Sequence, residues 1–250
     1  MSDVLSIPLR DEHGRPKLTP ASIRGWSTRL EAPPAHAWVE ITGGTDAFCE
    51  GLDLEALAGF EDPAEIVGVL QDFAALLQAI ERHPRPVLAR VEGPVLGGGV
   101  GVVAACDFVV AAPGTEFSLP EALVGLIPAV VLPTLSRRMA PTHARSLALG
   151  SPALDAEAAC RRGLVDEVAE DTRSAARRHG KRWARMSPLA QAAVKELTAS
   201  SGDARPFLDA AIKRFHELLA SPASQARLRR FLAGEAPWPT TDDERALEES

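Results

Sequence analysis

The glycine-rich stretch Val95-Leu96-Gly97-Gly98-Gly99-Val100-Gly101 decides how the rest of the sequence is interpreted. Before it, the short apolar run at 87–91 lies between Pro86 and Gly93-Pro94 and predicts a buried strand. After it, residues 102–106 are small and apolar and predict a buried helix. Successive glycines let the backbone approach another group closely, and the first N–H groups of a helix point outward with partial positive charge. A turn of this kind can hold an oxygen anion.

The glycine stretch alone leaves other interpretations open, because such turns also bind phosphates or simply allow close packing. The glycines lack G-x-G-x-x-G spacing, and no Gly-Lys-Ser/Thr follows them. A second glycine-bearing turn lies at 47–54, after a strand-like run at 37–41 and a loop at 42–46. Two such turns can bring two backbone N–H groups to one point, as an oxyanion hole requires.

These two turns, together with the segment FSLPEALVGLIP at 117–128, resemble the enoyl-CoA hydratase/isomerase (crotonase) superfamily, with matching order and spacing from about Val4 to Gly234. Strands and helices also alternate from 35 to 112, which predicts an α/β arrangement with crossover connections. The resemblance makes this a spiral of ββα units. It implies a spiral core at 1–186, a C-terminal helical trimerisation or lid region at 187–236 and a disordered tail at 237–250.

Composition narrows the function classes. The chain has 250 residues, 46% of them hydrophobic, which fits one globular domain. The net charge of −7 and the absence of a large Lys/Arg cluster argue against nucleic-acid binding. Three cysteines without paired spacing, and no secretory signal, predict a reduced protein in the cytoplasm. No apolar run suggests a membrane span, and the scattered histidines do not predict a metal site.

The resemblance also implies the chemistry. Superfamily members hold the oxygen of an acyl thioester between two backbone N–H groups and stabilise an enolate-like anion. By position these donors are the N–H groups of Glu50 and Gly98, and the residues implied to contact substrate are Leu52, Gly97 and Gly99. A glutamate at position 50 departs from the small residue usual in the family. Its side chain is interpreted as facing solvent.

The two family positions that usually carry catalytic carboxylates map to Gly101 and Glu121, so one carboxylate is missing. Burial between Pro120 and the apolar residues 122–124 is expected to raise the pKa of Glu121 and suit it to acid/base work. The alternative for Glu121 is a charge that complements a helix N-terminus.

Three functions stay open from the sequence. The first is a lyase that dehydrates or hydrates a 3-hydroxyacyl or 2-enoyl thioester. The second is an isomerase that moves a double bond with a single Glu base. The third is a non-catalytic thioester-binding or assembly subunit. The segment 125–138, with its Leu-Pro and paired arginines, resembles hydratase homologues of polyketide clusters, which implies substrates on an acyl carrier protein.

Several further residues have binding or structural interpretations. Arg137 and Arg138 either meet a phosphate or carboxylate or lie solvated on a helix, and Lys213 is a candidate for phosphate or adenine contact across subunits. Asp53 is interpreted as structural, and His143 as a surface residue. The resemblance implies a homotrimer or hexamer with no cofactor beyond the coenzyme A or phosphopantetheine of the substrate.

Overall fold

A parallel sheet of five strands forms the centre of the computed structural model, which describes residues 4–150, 152–199 and 205–235. Its strand order is β1-β2-β3-β5-β8, and every neighbouring pair is parallel. A smaller sheet of order β4-β6-β7 lies beside it. The strands are β1 (Val4–Pro8), β2 (Trp38–Thr42), β3 (Val87–Val91), β4 (Val95–Leu96), β5 (Phe108–Ala111), β6 (Glu116–Ser118), β7 (Leu154–Asp155) and β8 (Glu167–Val168).

The helices of the described residues connect these strands and then form the C-terminal part. They are α1 (Pro20–Glu31), α2 (Leu54–Ala58), α3 (Pro63–Arg82), α4 (Gly98–Ala105), α5 (Val131–Arg138), α6 (Pro141–Ala148), α7 (Ala156–Arg161), α8 (Thr172–Trp183), α9 (Pro188–Ala199), α10 (Arg205–Leu219) and α11 (Pro222–Leu232). A short 3-10 helix, Glu121–Val124, precedes α5. The predicted α/β class is confirmed.

The main helix boundaries follow from local sequence signals. In the sequence, Thr19-Pro20 predicts a helix start with Thr19 as N-cap and Pro20 at the first helical position. The structure confirms both, because the Thr19 hydroxyl accepts from the N–H of Ser22 and α1 begins at Pro20. The apolar residues that recur at helical spacing from Ile66 to Ile80 predict an amphipathic helix, and this is α3, which buries eight side chains. Among the described residues, α3 alone is long and apolar enough to cross a membrane, but here it packs inside the core against α1, α4 and α10.

Different helices cover the two faces of the main sheet. One face belongs to the large core with α1, α3 and α4, and the other packs Trp38, Leu88 and Val110 against α8. A Cβ on Gly180 would lie 2.3 Å from the Trp38 ring, so this glycine lets α8 approach the sheet. This layering leaves the carboxyl ends of β2 and β3 free to lead into the loops that carry the candidate site.

The C-terminal part of the described chain is helical. The apolar spacing from Phe207 predicts a C-terminal helix, which corresponds to α10, and the chain then continues into α11, which starts at Pro222 with Ser221 as its N-cap. The division at residue 186 stays a prediction, and the predicted tail at 237–250 lies outside the described residues.

Candidate active site

A cavity of about 840 Å³ lies between the two glycine-bearing turns, the 3-10 helix and the C-terminal helices. Its deeper walls are apolar and include Leu70, Phe73, Val130 and Val131. Most of its charged groups belong to other loops and helix ends, and the carboxyl group of Glu121 enters from the 3-10 helix. Such a space suits an acyl chain that needs only a few polar groups.

The two glycine-bearing turns meet as predicted. The N–H of Leu96 donates to the Cys49 carbonyl at 2.8 Å, which joins the turns side by side. Gly51 has a φ of 86°, and a Cβ there would lie 3.1 Å from the Gly98 nitrogen. Gly97 has a φ of 52°, a conformation that L side chains rarely adopt. The glycines are therefore needed for both the backbone conformation and the close approach.

The two predicted oxyanion donors differ in whether their backbone N–H already has a hydrogen-bond acceptor. Gly98 is the first residue of α4, so its N–H has no partner within that helix and lines the cavity. The N–H of Glu50 instead donates to the Pro16 carbonyl at 2.6 Å, although Glu50 also lines the cavity. The neighbouring N–H of Gly51 is 3.4 Å from the Cys49 Sγ. The role of Glu50 stays a prediction, and it requires the bond to Pro16 to be shared or released.

Glu121 is the first residue of the 3-10 helix, which ends at Gly125 with a φ of 79°. Its Oε2 is buried without a hydrogen-bond partner, and its Oε1 is 3.1 Å from the position that a Cβ on Gly97 would occupy. Burial raises the pKa of Glu121 to about 7, against the opposing effect of its own backbone N–H. A carboxyl group with this pKa can both accept and return a proton near neutral pH.

The position at which the family usually has a second catalytic carboxylate, Gly101, has no room for one. Gly101 is buried in α4, and a Cβ there would lie 3.1 Å from Val131 Cγ2 and 3.3 Å from Leu77 Cδ1. Apolar side chains thus occupy the space into which a longer side chain would extend.

The charged residues at the cavity are mostly carboxylates. Lys17 is the only lysine or arginine among the described lining residues, and its Nζ lies 3.5 Å from Asp53. Asp53 also caps α2 through the N–H of Ala56, which agrees with its structural interpretation. The remaining carboxylates of the lining, besides Glu121, are Asp46, Glu50, Glu55 and Glu235. Asp46 is paired with Arg10 at 2.5 Å.

The other predicted binding residues lie elsewhere. Arg137 forms an ion pair with Glu81, Arg138 forms one with Asp166, and neither lines the cavity. Lys213 is exposed and also lies outside the lining. Gly99 faces Cys49, whose Cβ would be 2.7 Å from an added Cβ. Of the predicted substrate contacts, Leu52 and Gly97 do line the cavity.

The sequence predicted a C-terminal lid region at 187–236, but it did not identify the residues by which these helices reach the cavity. Phe215 of α10 and Phe231 and Leu232 of α11 line the cavity. Ser224 Oγ donates to the Gly125 carbonyl at 2.8 Å, which attaches α11 to the segment that carries Glu121. The apolar residues at the end of α11 were the available signal, since a Phe and a Leu remain partly exposed there.

Comparisons with known proteins agree with this geometry. The sequence profile described as enoyl-CoA hydratase/isomerase matches residues 28–235. A carnitinyl-CoA dehydratase from Proteus mirabilis is 31% identical over 180 residues, which are 70% of this chain and 68% of that protein. A crystal structure of an enoyl-CoA hydratase from Mycobacterium avium has a TM-score of 0.83 and 29% identity, covering 94% of this chain and 93% of that one.

A Bacillus subtilis structure, provisionally described as a polyketide biosynthesis enoyl-CoA hydratase, has a TM-score of 0.82. It covers 95% of this chain and 96% of its own, but its 23% identity supports the shared fold alone. The core and the paired turns define the crotonase type of α/β fold. The chain belongs to the enoyl-CoA hydratase/isomerase family, and it is an enzyme of the hydratase/dehydratase type.

Proposed function

We propose that this enzyme removes water from a 3-hydroxyacyl thioester, or adds it in the reverse direction, with Glu121 as the only acid/base group. The observation that carries the proposal is the buried and unpartnered Oε2 of Glu121 beside the glycine turn. In the dehydration direction, the Gly98 N–H, with the N–H proposed for Glu50, holds the thioester oxygen while charge develops on it.

Glu121 starts this reaction as a carboxylate. It takes the α-proton, and the electron pair of the C–H bond forms the enolate. The enolate then expels the hydroxyl group from the β-carbon as the carbon–carbon double bond forms. Glu121 gives its proton to the departing hydroxyl, so that water leaves and the carboxylate is regenerated. One group can perform both transfers on the same face of the substrate, which is consistent with the apolar filling around Gly101.

The same single base also supports the isomerase alternative, in which Glu121 returns the proton to a different carbon. The similarity to a carnitinyl-CoA dehydratase supports dehydration over isomerisation. Deuterium incorporation and water loss separate the two reactions, because isomerisation leaves the number of oxygen atoms unchanged. A non-catalytic thioester-binding subunit would show neither change.

We propose further that the thioester is carried on the phosphopantetheine arm of a carrier protein, as in polyketide or other secondary metabolism. Coenzyme A has a diphosphate and a 3′-phosphate, and each normally needs a cation or backbone donors. The only Lys or Arg in the described lining is Lys17, which is engaged with Asp53. A phosphopantetheine arm has a single phosphate, so it needs fewer cations or backbone donors from this lining.

The test is mass spectrometry in deuterated water with 3-hydroxybutyryl and crotonyl thioesters, each on coenzyme A and on a carrier protein. We expect water loss with α-deuterium incorporation, faster on the carrier. Glu121→Gln is expected to lower both rates by at least about 100-fold because the proton acceptor is gone. Glu55→Gln makes the same charge change at another lining residue and should retain most activity. A fully active Glu121→Gln enzyme would overturn the assignment.

A homotrimer or hexamer in the cytoplasm is proposed from the family resemblance. Light scattering at micromolar concentration measures the oligomeric state directly, and a monomer would contradict the first part of this proposal.

A further inference from the structure

The outward surface of α8 is almost entirely cationic. Arg173, Arg177 and Lys181 follow one another on α8 at i,i+4 spacing, with Arg178 and Arg182 beside them. Arg185 follows in the turn after the helix, and all six residues are exposed. These six residues are called the basic face below. Ser174 is the other exposed residue within the first two turns of the helix, and no carboxylate interrupts the stretch from Thr172 to Met186.

The charges of the basic face are largely uncompensated. Among the described residues, Arg178 is the only one of the six with a carboxylate within ion-pair distance, namely Glu167 at 2.5 Å. Glu92 and Asp171 act on Arg173 and Arg177 only through longer-range attraction. Like charges at i,i+4 destabilise a helix. A concentration of this kind on a chain of net charge −7 is therefore not a consequence of overall composition.

The fold places one end of the basic face near the cavity. Ala175 and Ala176 hold the inner side of α8 against β3 and β5. At the first residue of the helix, Thr172 Oγ1 donates to Glu92 at 2.5 Å. Glu92 is two residues before Pro94, which lines the cavity. The N-terminal end of the basic face is thus bonded to the segment that leads from β3 to the cavity lining.

We infer that the basic face of α8 is the docking surface for an acidic carrier protein that delivers the acyl thioester to this cavity. The inference rests on the proposed function and adds where the carrier binds. Carrier proteins of this class are strongly acidic, so the charges are complementary, which favours rapid and specific encounter.

The surface itself favours a protein partner over a lipid bilayer. Within α8 no large hydrophobic residue is exposed, so the helix itself has nothing to insert into a lipid bilayer. The exposed Met186 and Leu189 follow it in the chain. An acidic protein needs only the charged contacts that the basic face offers.

The test is the double variant Arg177→Glu/Lys181→Glu. Its matched control, Arg145→Glu/Arg161→Glu, makes the same net charge change at two exposed arginines outside α8. Binding of a carrier protein loaded with a 3-hydroxybutyryl group is measured by titration calorimetry. Turnover is measured with that loaded carrier and with the small N-acetylcysteamine thioester.

We expect the α8 variant to bind the loaded carrier at least tenfold more weakly and to turn over the small thioester at the wild-type rate. The control should match the wild type with both substrates, and added salt should weaken carrier binding to the wild type more than to the α8 variant. Unchanged carrier binding by the α8 variant would overturn the inference, and so would an equal loss with both substrates.

Two further results distinguish failure of the proposed function, and binding to a membrane, from the docking inference. If the wild type binds the carrier but dehydrates neither substrate, the proposed function fails while the docking surface stands. Vesicles of phosphatidylcholine and phosphatidylserine test the lipid alternative by sedimentation. Binding to these vesicles that disappears in the α8 variant, with carrier binding intact, would assign the face to a membrane instead.

Discussion

Glu121 lines the cavity and Gly101 lies behind Val131, which also lines it, and the surroundings of these two residues have opposite chemistry. At Glu121 a carboxyl oxygen is buried without a partner, and its pKa is raised to about 7. At Gly101 there is no polar side chain, and Val131 and Leu77 fill the space. An unpartnered buried polar group costs stability, whereas close apolar packing provides it. The comparison teaches that an unpartnered carboxyl group and close apolar packing are kept at separate positions, and the proposed proton transfers depend on the first alone.

The largest effect is expected from placing a carboxylate at Gly101, where the surrounding side chains are apolar and closely packed. Gly101→Glu would force a charged group among Val131, Leu77 and Phe73, so we expect a loss of about 3–5 kcal/mol in the free energy of unfolding. Gly101→Ala is the control and should cost about 1–3 kcal/mol from overpacking alone. Urea denaturation measures both. A Gly101→Glu protein as stable as the wild type, with faster hydration, would show that the second carboxylate site is still open.

The raised pKa of Glu121 can be tested through the pH dependence of stability. The pKa of Glu121 is raised from 4.5 to about 7 by burial, so its contribution to stability is fully present below about pH 4.5 and is lost as pH rises through 7. We expect Glu121→Gln to stabilise the protein at pH 8 by at most about 3 kcal/mol, since each pKa unit corresponds to about 1.4 kcal/mol.

The difference between Glu121→Gln and the wild type should shrink toward pH 4.5, and thermal melts across this range measure it. In the wild type, kcat/KM for dehydration should rise with pH through about 7, because the carboxylate form is the one that takes the α-proton. A stability difference that grows toward acid pH would contradict the raised pKa.

The smallest effect is expected from the hydrogen bond that joins α11 to the segment carrying Glu121. Ser224→Ala removes the hydrogen bond from Ser224 Oγ to the Gly125 carbonyl, next to the 3-10 helix. We expect a loss of about 1 kcal/mol in stability and a higher KM with a smaller change in kcat. Ser27→Ala is the control, because the Ser27 hydroxyl bonds to the Ile23 carbonyl within its own helix. Equal KM values for the two variants would show that this contact does not support the cavity.

Local signals predicted much of this fold, and contacts distant in sequence account for what they missed. The glycines at 51 and 97 have positive φ values, and glycine runs between a strand and a helix are typical of such turns. The cap at Thr19 and the stripe of α3 are also local patterns. No local pattern shows that Pro16 accepts the Glu50 N–H, because those residues are joined only by the folded backbone.

For the candidate site too, the sequence predicted the place of some residues and not of others. Position in a family pattern was enough to bring Glu121, Gly98 and Leu52 to one cavity. It was not enough for Arg137, which forms an ion pair with Glu81 of α3 outside the cavity. Side-chain direction depends on packing between elements, which a single sequence does not encode in any short window.

Closure of the cavity by Phe215 and by residues 231–235 has a consequence for how the enzyme comes into being. The ribosome makes the spiral core and Glu121 long before it reaches α10 and α11. During that interval the site has the carboxyl group of Glu121, the proposed acid/base group, without its last walls. We therefore expect chains that end before residue 215 to be inactive even where the core has folded, because the apolar side chains of α10 and α11 are missing from the cavity.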